Sequence, residues 1–253
     1  MSEPASSEGP PAASGSSRTR AIRHSLIRRR TAEHLRRSVD TSAHVYSSIE
    51  VDFEAVDAVR RVRAADWKQR EGFGLSYLPF TARAAAQAIA TFPEVNGTFT
   101  ADALLVHADV HLGIAVDLDF KGLMVPVVRD VTSKKVPAIA REVHELARRA
   151  RAKELAREDV VDGTFTITNP GPYGTLLTMP IINQPQVAIL ATDGVRRRPV
   201  AVTGADGSED IVVHPVGNIV LTWDHRAFDG AYAAAFLNEI KERLETSDWD
   251  SEF

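Results

Sequence analysis

Val45, Ser47, Ile49, Val51 and Phe53 fall on one face of an extended segment, which predicts a strand with a single buried face. From Phe53 to Arg70 and from Pro79 to Thr91 the apolar positions change to a helical period. Two extended stretches follow, Val110 to Asp117 and Leu123 to Arg129, joined by the turn-forming run Asp119-Phe120-Lys121-Gly122. A helix is expected over Val136 to Ala152. Strands are then expected near Gly163 to Thr168, Val187 to Thr192, Val195 to Thr203, Ile211 to His214 and Gly217 to Trp223, with Gly204-Ala205-Asp206-Gly207 as a further turn and a closing helix from Gly230 to Glu245. No internal repeat is visible. Hairpins and helices interleaved in this order predict one mixed α/β (α+β) domain on a largely antiparallel or mixed sheet.

The first 17 residues are almost entirely Ser, Pro, Ala, Gly and Glu, and such a segment buries too little apolar surface to order itself, so residues 1 to 21 are read as a disordered tail and 22 to 253 as the folded domain. Between Arg18 and Arg37 eight arginines face one acidic residue, Glu33, and Ser25, Leu26, Ile27 and Leu35 predict a short capped helix there. Such a run could contact coenzyme A phosphates or nucleic acid; a solvated or partner-facing helix is the plainer reading. The net charge of −4 gives no general attraction to nucleic acid or to anionic lipid. Cysteine is absent, which excludes disulfides, thiolate catalysis and cysteine-ligated zinc. No apolar run approaches the roughly 18 residues of a membrane helix, and the N-terminus lacks an apolar signal core, so a cytoplasmic location is expected by default.

Chemistry concentrates at two junctions. Trp223-Asp224-His225-Arg226-Ala227-Phe228-Asp229-Gly230 sits where an apolar strand gives way to a helix, a place where a side chain is both rigid and accessible. An imidazole there is suited to take a proton from a thiol or hydroxyl near neutral pH, and Asp229, four residues on, can fix its surroundings. H-x-x-x-D alone is weak evidence and fits a structural histidine better than a catalytic one, and metal binding would need a third ligand that nothing nearby supplies. The second junction is Gly163 to Gly174, a β-rich stretch ending in Asn169-Pro170-Gly171. Thr168 falls at its turn, where a hydroxyl could donate to a developing oxyanion.

These segments, with Pro180 to Leu190 and the stretch from Gly113 to Val116 through Gly122 to Asp130, resemble in order and spacing the catalytic domain of dihydrolipoyl acyltransferases, the core subunits of 2-oxo-acid dehydrogenase complexes, from about Ser25 to Leu244. The resemblance implies the fold of chloramphenicol acetyltransferase, acyl-CoA as co-substrate, no metal, and direct transfer without an acyl-enzyme. It implies His225 as general base, Asp229 as a residue holding the site in shape through a local ion pair, and Thr168 as the hydroxyl that stabilises the tetrahedral intermediate. It also implies a homotrimer, able to build a larger cubic assembly, in which His225 and Thr168 meet from different subunits.

The chain departs from that family in one respect. Few residues precede the domain, and all six lysines, Lys68, Lys121, Lys134, Lys135, Lys153 and Lys241, fall inside it, so no lipoyl attachment site is expected in this chain. The first expectation is therefore a freestanding enzyme that moves an acyl group, acetyl first, from acyl-CoA to a small-molecule hydroxyl, such as that of a tetronate in antibiotic biosynthesis. The alternative is the core of a dehydrogenase complex whose lipoyl domains are on another chain or were removed. A non-enzymatic trimeric scaffold is the third reading.

Overall fold

The computed structural model describes residues 19–204 and 206–253. The expected tail over residues 1 to 18, and Ala205 of the expected turn, lie outside the described residues. Helix α1 (Leu26–Thr41) is followed by β1 (His44–Asp52), α2 (Glu54–Glu71) and α3 (Leu78–Thr91). Short strands come next: β2 (Gly97–Phe99), β3 (Leu104–Val106), β4 (Leu112–Ile114), β5 (Val116–Asp117), β6 (Leu123–Met124) and β7 (Val127–Val128). The chain continues through α4 (Val136–Ala152), β8 (Phe165–Thr168), β9 (Ala188–Thr192), β10 (Arg196–Thr203), β11 (Glu209–Asp224) and α5 (Gly230–Thr246).

The main sheet has the order β1-β11-β9-β8-β4-β7, with β10 also pairing β11. β8 runs parallel to both β4 and β9, and the remaining pairs are antiparallel, so the expected mixed sheet is present. Two small hairpins, β2–β3 and β5–β6, stand outside it. Helices α2 to α5 contribute Trp67, Phe80, Ile139, Phe236 and Leu237 to one continuous core with β11 and β8. Alanine fills much of buried α3, with Pro79 in its first turn, where a missing N–H costs no helical bond.

β11 departs from expectation in being one strand across Pro215. Phe53 N donates to the Pro215 carbonyl at 2.8 Å, so that residue's main-chain groups face the edge where β1 has ended at Asp52, and no ladder donor is lost there. Phe53 itself leaves the strand to stand before α2, still buried. Val110 to Asp117 is divided at Ala115, whose N–H turns to Ile167 O, so that β4 joins the main sheet and β5 the hairpin. The turn between β5 and β6 forms as expected, with Asp119 and Phe120 both at positive φ and the Asp117 carboxylate accepting from Phe120 N.

Phe236 of α5 is fully buried, with its ring against those of Phe92 and Phe165 at 6.3 and 6.0 Å. Phe236→Ala should cost about 3–5 kcal/mol by deleting a buried aromatic at the contact between α5 and the sheet. A lowered midpoint of denaturant unfolding with an unchanged slope checks this.

Candidate active site

At the end of β11 the side chains alternate between the two faces of the sheet, and Asp224 is buried, with 1 % of its side chain exposed. Its carboxylate accepts from Arg226 Nη2 at 2.6 Å, from Arg226 N at 3.1 Å and from Ala43 N at 3.2 Å. Burial opposes its ionisation, yet the hydrogen bonds from Arg226, Ser42 and Ala43 outweigh this and hold the carboxyl below the ordinary aspartate value. Arg226 is sandwiched in turn between Asp224 and the Phe99 ring, 4.4 Å from its centroid.

This pair pins the turn that carries His225. The His225 N–H donates to Ala43 O at 2.9 Å, while its ring is half-exposed beside Trp223. Trp223 is fixed beneath it by a bond from Nε1 to Phe228 O at 3.1 Å. Asp229 stands just before α5 with 91 % of its side chain exposed, and its Oδ1 lies 3.9 Å from His225 Nδ1. That separation exceeds a hydrogen bond. The ion pair that shapes the turn joins buried Asp224 to exposed Arg226, which sequence reasoning missed although both residues flank His225; a carboxylate on a strand otherwise buried on both faces was the available signal.

Thr168 ends β8 and lines a cavity of about 490 Å³ walled by Leu35, Ala115, Leu123, Val125, Ile181 and Ile189, with Arg30 and His34 of α1 also facing it. Among the described residues its hydroxyl has no hydrogen-bond partner. The chain then turns sharply: Asn169 Oδ1 accepts from Gly171 N at 3.2 Å, and a Cβ at Gly171 would stand 2.6 Å from Asp193 O. Asn169 and Gly171 face a second cavity of about 220 Å³, with Tyr77 and Asp193, so the consecutive residues Thr168 and Asn169 border different cavities.

The registers fix the distance between the two candidate groups. Thr168 pairs with Ala191, and Ala191 with Val220. His225 is thus two strands over, about 10 Å, and five residues further along β11, about 16 Å. Within one chain His225 and Asp229 are neighbours, and Thr168 stands apart from both.

Metal-ligand atoms come together elsewhere: those of Asp109, His111 and Asp130 lie within 4.8 Å of one another, with both carboxylates exposed. His225 is not among them. Among the described residues no helix is long and apolar enough to cross a membrane.

The fold and the junctions define a protein of the chloramphenicol acetyltransferase-like class. A chloramphenicol acetyltransferase superposes with a TM-score of 0.52 at 12% identity over 84% of this chain and 94% of that one, a likeness of fold alone. Residues 16–249 match the family model "2-oxoacid dehydrogenases acyltransferase (catalytic domain)", and the chain belongs to that family. It is 37% identical over 230 residues to the dihydrolipoyllysine-residue acetyltransferase component of pyruvate dehydrogenase complex of Mycobacterium bovis, covering 90% of this chain and 41% of that one. The chain therefore spans less than half the length of that relative. A probable dihydrolipoamide acetyltransferase from Listeria monocytogenes superposes with a TM-score of 0.84 at 34% identity, over 90% of this chain and 94% of that one. Two further structures each superpose with a TM-score of 0.82 at 31% identity, over 89% of this chain and 91% of theirs. One is Azotobacter vinelandii dihydrolipoamide acetyltransferase, investigated for a serine, a histidine and an asparagine in its catalytic mechanism; the other is the cubic core of the pyruvate dehydrogenase multienzyme complex.

The lowered Asp224 pKa gives a pH test. A depressed carboxyl contributes stability that is present above its unfolded pKa, about 3.9, and is lost as pH falls through that value to the folded one. Asp224→Asn should therefore lose stability relative to the parent at neutral pH, with the gap narrowing below about pH 4. Unfolding midpoints of both proteins across pH 3 to 7 check the sign.

Proposed function

We propose that this chain transfers an acyl group between coenzyme A and a dihydrolipoyl thiol, at a site assembled from two copies. The separation of His225 from Thr168 in one chain carries the reading, because a base and an oxyanion donor about 19 Å apart (10 Å across, 16 Å along) act on one acyl group only if a second subunit supplies one of them. Exposed apolar side chains near Thr168 support a covering subunit: Phe120, Tyr173, Leu176 and Met179 are each more than half exposed. The cubic core among the similar structures supports a trimer that assembles further. The histidine and asparagine investigated in the Azotobacter enzyme are four residues apart, as His225 and Asp229 are, which supports both as site residues.

In the reaction His225 removes the proton of the attacking thiol, and the sulfur adds to the thioester carbonyl. Thr168 donates to the oxyanion that forms. Collapse breaks the bond to the departing sulfur, which takes the proton back from the imidazolium, so no residue is acylated and no metal enters the scheme. Asp229, at 3.9 Å, is placed to act on the imidazolium by charge more than by a direct bond. The relatives named above act on dihydrolipoyl groups, which favours a thiol acceptor; a small-molecule hydroxyl, a tetronate included, receives no support from them. The dihydrolipoyl group would arrive on a separate lipoyl domain.

The assembled protein should form S-acetyl-dihydrolipoamide and free coenzyme A from acetyl-CoA and dihydrolipoamide. His225→Ala should lower turnover about 10²–10⁴-fold, and Thr168→Ala about 10²–10³-fold with little change in acyl-CoA affinity. Refolded together in equal amounts, the two inactive chains should recover about one quarter of parental activity, since one cyclic interface in four pairs an intact His225 with an intact Thr168. Verified mixed trimers without recovery would refute the shared site.

A further inference from the structure

One set of side chains at the Thr168 cavity has no part in the reaction as written. His34 of α1, Asn183 of the loop before β9 and Thr166 of β8 line that cavity, Thr166 two residues before Thr168 on the same face of the strand, and buried Gln186 of that loop bonds to Thr166. Arg37 Nη2 lies 3.4 Å from His34 Nδ1, and His34 Nε2 lies 2.9 Å from Asn183 Oδ1. Asn183 Nδ2 donates to Thr166 Oγ1 at 3.3 Å, Thr166 donates to Gln186 Oε1 at 2.7 Å, and Gln186 Nε2 donates to Gly163 O at 2.8 Å. A guanidinium only donates, so Nδ1 of His34 accepts and its Nε2 carries the proton toward Asn183. Every link then runs in one direction, from α1 to the main chain at Gly163. Thr166 and Gln186 are 1 % and 4 % exposed, where an unmade hydrogen bond is costly and the chain resists partial rupture.

We infer that His34 is a positioning residue for acyl transfer: by holding the Asn183 carboxamide in one orientation it commits the polar groups around Thr168 to one another and leaves the Thr168 hydroxyl as the free donor. Among the described residues, Thr166, Thr168 and Asn183 are the polar side chains that β8 and the 180–186 loop bring to this cavity, and Thr168 alone is uncommitted. Without the His34 donor, Asn183 Oδ1 has no partner, and rotation of the carboxamide turns its N–H₂ toward the cavity. There it competes with Thr168 for the acyl oxygen and binds substrate in a pose that does not react. The consequence falls on kcat, with KM unchanged or lowered.

This inference rests on the acyl-transfer reading, and its test separates the two. In the assembled protein, His34→Leu should lower kcat for acetyl-CoA and dihydrolipoamide about tenfold, the size of one net hydrogen bond, without raising KM. His34→Gln, which keeps an N–H near the Nε2 position, should stay within about threefold of the parent. Thermal midpoints of both variants should match within a few degrees. A normal kcat in His34→Leu, or an equal loss in both variants, overturns the inference. A parent protein that fails to acetylate dihydrolipoamide overturns the acyl-transfer reading instead. The crystal structure of His34→Leu then decides the positioning role without activity: an Asn183 Nδ2 that still donates to Thr166 refutes it, and a rotated carboxamide upholds it.

Discussion

The register of β11 between β1 and β9 decides where each candidate reactive group lies. Ile219, Leu221 and Trp223 face the main core, while Val220, Thr222 and Asp224 are buried on the opposite face. A slip of one residue would exchange the two sets and drive the Asp224 carboxylate into the apolar core, a desolvation of several kcal/mol without its donors. The pairing with β1 from His44↔Asp224 to Asp52↔Val216 opposes that slip over the whole buried half of the strand. His225 is held at the strand's end for the same reason, and β9 transmits the register to Thr168 through two further ladders.

Asp224 and Arg226 turn this fixed strand end into a fixed side chain. A buried carboxylate is seldom a net source of stability, because desolvation offsets much of the Coulombic gain. Its value here is geometric: Ala43 N, Arg226 N and the guanidinium converge on one carboxylate and close the turn on both sides of His225. Arg226 gains further rigidity from the Phe99 ring on its other side.

How far the sequence revealed this depends on whether a feature is local. α4 falls on the predicted residues and α5 within one residue of them, because each has a clear period and, for α4, a proline in the first turn. The 119–122 turn was equally plain from its residues. The β2–β3 hairpin escaped notice because three-residue strands are too short to show a period. Pro215 looked like a break because tolerance for it depends on which edge partner stops beside it, and sequence does not record that. His225, Asp229 and Thr168 were picked out as candidates, but Asp224 is fixed together with Ala43, 181 residues away, and His34 meets Asn183 across 149 residues, partners that sequence does not set side by side.

Dividing base and oxyanion donor between the ends of β11 and β8, with β9 between them, has a physical consequence beyond geometry. In the proposed shared site neither half is a catalyst alone, so chemistry waits on assembly, and the apolar surface around Thr168 that is a liability on a single chain becomes the surface a second chain buries. The same division frees each half for a separate task. The β11 end can spend an ion pair on fixing one imidazole, while the β8 end keeps Thr166 and Asn183 bonded at a cavity of about 490 Å³. A donor held in place beside committed neighbours binds more strongly to charge that develops in the transition state than to a neutral carbonyl, because Thr166 and Asn183 need not reorganise. In the proposed site, the free Thr168 hydroxyl is therefore the property that would set it apart from an ordinary threonine at the end of a strand.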